Sequence, residues 1–435
     1  MSNPELSNHF KSRQPSSVRL AQIEFSKRDD DVEALNTAIG NVSLPMHPAM
    51  HNRLLNINKE SSFKNGIVKY TSSIGTDETN RAFINIIASS GFSTDGLFSQ
   101  VTDGGSQAME LMILGVCGPA GTDEKPLLMI DAAYSNYLSF ADRLGRKTIS
   151  VRRTLRDDGT FTPPDIDEME AKIKKYNPGA LVVIPYDNPT GHFYDKKTMI
   201  LLGKLCVKYN MWMISDEAYR EFHYKSTTAS SVWGLTEKDV PGITGRRISI
   251  ETASKVWNAC GLRIGALVTD NKLFHQQSIA EYTANLCANA IGQYIFGALA
   301  HETHADLQKW YEKQRNYYKP MMSVLRVSLQ DKLPGIIVSS PEAALYSVID
   351  VRNIAKPGFN SNDFVLYCSQ KGKVNVEGRD YTLLVAPMSG FYSVSEGEVN
   401  PGVTQMRIAY VARPEKIILL PRLFKVLFEK YESLR

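Results

Sequence analysis

Ser249-Ile250-Glu251-Thr252-Ala253-Ser254-Lys255-Val256-Trp257-Asn258-Ala259-Cys260-Gly261-Leu262-Arg263-Ile264-Gly265 is the stretch on which the reading of this chain turns. The alternating run from Arg247 to Thr252 reads as a strand that ends in small hydroxyl residues, and Lys255 follows at once. Arg263 comes eight positions later (263 − 255 = 8), with Gly261 and Gly265 on either side. A lysine at a strand end, hemmed by hydroxyls and close to an arginine, suits a nucleophilic amine that holds an aldehyde cofactor. Nearby positive charge favours the neutral amine, the form that makes a Schiff base. The small residues let backbone approach a phosphate, for which Thr252, Ser254 and Arg263 supply donors. Taken alone, a lysine in a polar loop is far more often a surface residue, so the rest of the chain has to carry the reading.

Working outward, strands alternate with helices. Ser99 to Thr102 is a short strand, and Asp103-Gly104-Gly105-Ser106-Gln107 opens a helix running to about Cys117. Leu127 to Ile130, Thr148 to Val151, Ala180 to Ile184, Met211 to Ile214, Ile248 to Ile250 and Ile264 to Val268 read as further strands. Ile166, Met169, Ile173 and Tyr176 mark one helix face between them, and Met199, Leu202, Cys206 and Tyr209 another. Such alternation predicts an open, mainly parallel sheet, whose ligands lie beyond the carboxyl ends of the strands.

The texture changes in the last third. A helical stretch is expected over about Gln277 to Asp306 and again over Lys309 to Val327. Ala344 to Val351 and Gln405 to Val411 alternate like strands with one exposed face, and an amphipathic helix carrying Ile418, Leu423, Val426 and Leu427 closes the chain. Near the start, an amphipathic patch (Val18 to Phe25) precedes the glycine- and proline-marked crossing Ala38 to Pro45. A loop over Lys69 to Gly75 precedes a helix from about Glu78 to Ala88. The expected class is α/β: a large domain over 51–310 with a mainly parallel sheet flanked by helices, and a smaller α+β domain formed by the two chain ends, 1–50 and 311–435.

With 435 residues, 43% hydrophobic and 22% charged, the chain has ordinary globular composition. A net charge of +4 is too small for this length to argue for nucleic acid or a membrane surface. Met1 to Gln14 has no apolar signal-like run, and no apolar segment approaches the ~18 residues that span a bilayer. The five cysteines, Cys117, Cys206, Cys260, Cys287 and Cys368, are scattered, with no C-x-x-C pair. Neither a metal site nor a disulfide framework is indicated, and a reducing, cytoplasmic setting is expected.

Two more motifs stand at strand ends. Asn188-Pro189-Thr190-Gly191 follows one strand and Asp216-Glu217-Ala218-Tyr219 the next. Their separation (216 − 188 = 28) is the length of one strand–helix–strand crossover, so Asn188 and Asp216 are expected on adjacent strand tips. A carboxylate there can pair with a protonated ring nitrogen, while Asn188 and Tyr219 share a ring hydroxyl. Asp103-Gly104-Gly105-Ser106, at a helix start, can cradle a phosphate with backbone amides.

Together these residues closely resemble the aminotransferase class I/II family, pyridoxal-phosphate enzymes of the aspartate aminotransferase fold. The resemblance runs from about Gly40 to Ala409. It implies that Lys255 holds the cofactor as a Schiff base and that Asp216 partners the pyridinium nitrogen. Asn188 and Tyr219 would hold the ring oxygen and Tyr134 would stack on the ring. Gly105, Ser106, Ser254 and Arg263 would bind the phosphate, with Thr252 close by. Arg407 matches the family's arginine for the substrate α-carboxylate, and Gly40 the loop that covers it. Tyr70 matches a tyrosine that reaches the phosphate of a neighbouring subunit, so a homodimer is implied. Two departures stand out. The segment Asp131-Ala132-Ala133-Tyr134 lacks the usual proline, and Ser106 stands where some aspartate-specific relatives carry a lysine.

The expected activity is amino-group transfer between an L-amino acid and a 2-oxo acid. A lyase or decarboxylase on the same scaffold is the alternative. The effector domain of a transcriptional regulator fits less well, because the short segment before Ala38 has no room for a DNA-binding module. Acidic, aromatic, branched and broad specificities all occur on this fold, and a few loop side chains choose among them. Trp257, Ile39 and Tyr70 hint at an apolar or aromatic pocket, although each suits plain packing equally well.

Overall fold

The computed structural model describes residues 4–118, 125–225, 228–394 and 397–435. Its centre is a seven-stranded sheet. In spatial order the strands are Phe98–Thr102, Gly265–Thr269, Arg247–Thr252, Trp212–Asp216, Ala180–Val183, Leu127–Asp131 and Thr148–Arg152. Gly265–Thr269 runs antiparallel to both its neighbours. The other paired strands in the sheet are parallel, Asp216 opposite Ile250 and Val183 opposite Ser215. Ala180–Val183 is buried throughout, as a strand covered on both faces must be.

Helices on the two faces close separate cores. One holds Leu181, Met199, Leu202 and Cys206, and the other holds Met112, Val182, Ile214 and Leu267. Successive sheet residues alternate between them, which is the strand period made visible. Three of the expected helices are present as Asp77–Ser89, Ile166–Tyr176 and Lys196–Lys208, and the structure shows them capped by the side chains of Thr76, Asp165 and Asp195.

A four-stranded antiparallel sheet (Ala386–Pro387, Gln405–Ala409, Tyr346–Asp350, Ile337–Val338) and a three-stranded one are built near the chain ends. In the latter, Val32–Asn36 pairs in parallel with Arg379–Leu384, tying the first residues to the last hundred. The helix Ser17–Phe25 packs on Ser361–Gln370.

Three expectations need correction. Tyr346–Asp350 and Gln405–Ala409 have no exposed face; every residue in both strands is buried. Val348 faces a core with Ala386 and Phe391, while Ile349 and Met406 face another with Leu329. The polar positions that imitate a solvated face are internally bonded: Ser347 and Tyr410 share a 2.8 Å bond, and Gln405 donates to Asp350 at 3.0 Å. The helical stretch from 277 to 306 is instead interrupted. Lys272–Tyr282 ends before Leu286, whose φ is +69°, and Asn289 caps a new helix, Ala290–Gly297. A 29-residue helix, His304–Lys332, then absorbs both the end of that stretch and the whole of 309–327. Finally, Ile418 is 65% exposed and precedes the last helix, Leu420–Leu434, so only Leu423, Val426 and Leu427 belong to its packed face.

Candidate active site

A cavity of about 1090 Å³ opens at the carboxyl ends of the parallel strands. Asp216 ends one of those strands, Thr252 the next, and Asn188 follows a third. Lys255 is the only lysine among the described residues that line the cavity, and Asp216 the only carboxylate. The Lys255 amine donates to the Gly40 carbonyl at 2.5 Å. The crossing segment Ala38 to Pro45 thus lies against the lysine. A Cβ at Gly40 would stand 2.6 Å from the Tyr346 hydroxyl and 3.3 Å from the Lys255 amine, so a larger residue there would displace one of these side-chain ends.

One end of the cavity is a cluster of anion-binding donors. The helix Gly104–Cys117 begins without a side-chain cap, because the Asp103 carboxylate instead accepts from the Tyr282 hydroxyl at 2.9 Å and the Asn289 amide at 3.2 Å. The first amides of the helix are left open, carrying the positive end of its dipole. Gly105 and Ser106 line the cavity there, beside the hydroxyls of Thr252 and Ser254, which are 2.8 Å apart. Arg263 lies against the same turn; a Cβ on Gly104 would meet its guanidinium at 2.6 Å. Its backbone is left-handed (φ +54°), a strained conformation for a non-glycine residue, and its Nη1 donates to the Cys260 carbonyl at 3.1 Å. Gly265 permits this packing, since a Cβ there would fall 2.5 Å from the Gly104 carbonyl carbon and 2.6 Å from the Gly105 nitrogen.

At the other end Asp216 is buried, with the Tyr137 hydroxyl donating to it at 2.9 Å and the Ala218 amide at 3.1 Å. Burial pushes its carboxyl up to about 6 from the usual carboxylate range, although the Tyr137 bond opposes this. A buried carboxylate held by two donors among the described residues is poised for a cation. Tyr134 lines the same region, and its desolvated phenol is pushed up to about 12.

Arg407 is buried and reaches the cavity from Gln405–Ala409. Nη1 donates to Asn188 Oδ1 at 2.8 Å and Nη2 to the Ala38 carbonyl at 2.6 Å, while Nε has no partner among the described residues. The guanidinium lies 4.4 Å from the Tyr346 ring centre and 5.2 Å from that of Phe391. Desolvated, close to two aromatic rings and with N–H groups to spare, it has the donors that a carboxylate fork needs. Asn188 Nδ2 in turn donates to the Tyr219 hydroxyl at 3.5 Å, and that hydroxyl shares a 2.6 Å bond with Tyr346.

The model of the family described as aminotransferase class I and II matches residues 54–413. The chain belongs to this family. It is 24% identical to an aspartate aminotransferase of Sulfolobus acidocaldarius over 386 residues, covering 87% of this chain and 90% of that one. It is 22% identical over 249 residues to a cystathionine beta-lyase of Bacillus subtilis, covering 56% of this chain and 60% of that one. In three dimensions it resembles a kynurenine aminotransferase of Pyrococcus horikoshii with a TM-score of 0.77 at 19% identity, covering 98% and 97% of the two chains, which shows a common fold. As a member of this family the chain is a pyridoxal-phosphate-dependent aminotransferase.

The residues present fit that cofactor by the chemistry of their donor set: an open helix start with two hydroxyls and a guanidinium for a phosphate, one amine for an aldehyde, and one desolvated carboxylate for a ring cation. Twelve of the residues that the resemblance assigns to the site line this one cavity, from Gly40 to Arg407. Tyr70 does not. It is 79% exposed and borders a separate hollow of about 500 Å³ with Phe63, Ile67 and Tyr294. Trp257 is packing: buried, nearly parallel to Trp310 at 6.5 Å and edge-on to Tyr311. Ile39 does line the cavity. Sequence reasoning missed Tyr137 and Tyr346. Tyr137 lies three residues beyond Tyr134 at a helix start, a spacing that could have flagged it. Nothing local marks Tyr346.

Proposed function

We propose that the residues of this cavity divide the work of amino transfer as follows. The reading is carried by one observation: a single amine, a single desolvated carboxylate and a buried arginine fork converge on one cavity. Gly105, Ser106, Thr252, Ser254 and Arg263 hold the phosphate, and Tyr134 packs on the ring. When bound, the cofactor supplies an electron sink for the substrate Cα bond that breaks. Asp216 keeps a proton on the ring nitrogen, Tyr219 and Asn188 hold the ring oxygen, and Lys255 Nζ takes the aldehyde and carries the proton at the reacting carbon. Arg407 binds the α-carboxylate common to every substrate, and Gly40 closes over it. The division into a large domain over 51–310 and a small one from 1–50 and 311–435 belongs to the same proposal, with the substrate cleft between them. So does a cytoplasmic homodimer in which the exposed loop carrying Ile67, Val68 and Tyr70 meets a second copy, and Tyr70 reaches the phosphate site there.

The test is a half-reaction. Holoenzyme mixed with single amino acids and no oxo acid should lose its visible absorbance and release one equivalent of 2-oxo acid, leaving pyridoxamine phosphate. Continuous release of ammonia and pyruvate would make it a β-lyase instead. Arg407→Lys should retain the holoenzyme spectrum while kcat/KM falls about 10- to 100-fold for all amino and oxo acids alike, the loss expected for one or two charge-assisted hydrogen bonds. Loss for one substrate class alone would make Arg407 a side-chain reader.

A further inference from the structure

Tyr346 touches both halves of the site, and neither the family assignment nor the sequence gives it a role. Its hydroxyl is 2.6 Å from that of Tyr219, the two rings standing edge to face at 5.5 Å, and its own ring face lies 4.4 Å from the Arg407 guanidinium carbon. The arrangement follows from strand register. Tyr346 pairs with Ala409 and Val348 with Arg407, so Tyr346 and Arg407 are diagonal neighbours on one face.

Donor chemistry fixes the direction of the bonds from Arg407 through Asn188 to Tyr219, while either phenol can donate in the bond between Tyr219 and Tyr346. Arginine only donates, so the atom of Asn188 facing Arg407 at 2.8 Å must be its oxygen. Asn188 therefore turns its NH₂ toward the Tyr219 oxygen. A phenol oxygen has two lone pairs and one hydrogen. If Tyr346 also donates to it, both lone pairs are taken, and the Tyr219 hydrogen has nowhere to go but the cavity, which Tyr219 lines. If Tyr346 accepted instead, that hydrogen would be spent on Tyr346.

We propose that Tyr346 is a positioning residue with two tasks: its hydroxyl donates to Tyr219 and so aims the Tyr219 O–H at the cofactor, and its ring face holds the plane of the Arg407 fork. The proposal rests on the assignment of Tyr219 and Arg407 above, and its test separates the two tasks by chemistry.

Tyr346→Phe keeps the face and removes the hydroxyl. Freed from its donor, Tyr219 gives a weaker hydrogen bond to the ring oxygen, which then bears negative charge less well, and the linked nitrogen keeps its proton to higher pH. The pH midpoint of the holoenzyme's visible absorbance should rise by about half a unit or more, while KM stays within about twofold. Tyr346→Leu removes the face as well. It should raise KM about tenfold for all substrates while cofactor affinity stays within about threefold, and restoring the ring as Phe should rescue KM. A Phe variant whose absorbance titrates at the wild-type midpoint would overturn the first task. A Leu variant with wild-type KM, or a Phe variant that fails to rescue it, would overturn the second. If Arg407→Lys leaves kinetics unchanged, the underlying assignment has failed; if it cuts kcat/KM as expected while Tyr346→Leu does nothing, only the role of Tyr346 has.

Discussion

Lys255→Ala is expected to abolish turnover while leaving the protein folded. Lys255 is the one lysine on the cavity among the described residues, and its amine already rests on the Gly40 carbonyl at 2.5 Å. Holding a reacting group in place contributes about 7 kcal/mol or more, so the loss should be about five orders of magnitude in kcat. The side chain is half-buried and its bond goes to a loop rather than to a core, so stability should change by less than about 1 kcal/mol. Borohydride reduction of the wild-type holoenzyme followed by peptide mapping should find the pyridoxyl group on Lys255. A pyridoxyl group on any other lysine would refute the assignment outright.

Asp216→Ala should cost about a hundredfold or more in kcat. Removing one partner of a buried ion pair costs roughly 3–5 kcal/mol, and a loss of 3 in the transition state alone is more than two powers of ten. The burial of Asp216 gives a second, independent readout in the cofactor-free protein. Its carboxyl titrates at about 6, against an ordinary value of 3.8. The folded state therefore holds the proton over a window in which the unfolded chain has released it, and stability falls as pH rises from about 4 to about 6. Two units correspond to roughly 3 kcal/mol. Asp216→Asn, which keeps the shape and cannot ionise, should gain stability relative to wild-type apoprotein across that window and hold the gain above pH 6. The difference should vanish below pH 4. Denaturant melts at several pH values check this, and a pH-independent difference would show that Asp216 is not desolvated as described.

How much of this was readable beforehand differs sharply between residues. Lys255, Asp216, Tyr219, Asn188 and the Gly104-Gly105 turn were legible because each sits at the end of a strand whose apolar run is unmistakable, and a parallel sheet presents those ends together. The opened helix start at Gly104 was legible as a motif. Its reason was not, since the Asp103 side chain is drawn away by Tyr282 and Asn289, 179 and 186 residues distant. Arg407 was legible only through resemblance. Its strand alternates as a half-exposed one would, and a polar residue on a covered face looks the same in sequence as one in water.

The sequence by itself determined the strand–helix alternation, the parallel sheet and the identity of the residues crowded at its carboxyl edge, because hydrophobic period and turn chemistry act over a few neighbouring residues. Only the tertiary structure decided what those residues are aimed at. The Arg407 fork is set by Ala38, 369 residues away, and by the ring of Tyr346, while the direction of the Tyr219 hydroxyl depends on a phenol 127 residues further on. Such orientation is a matter of desolvation and of which hydrogen-bond partners remain once the chain has closed, and neither is a property of any local stretch.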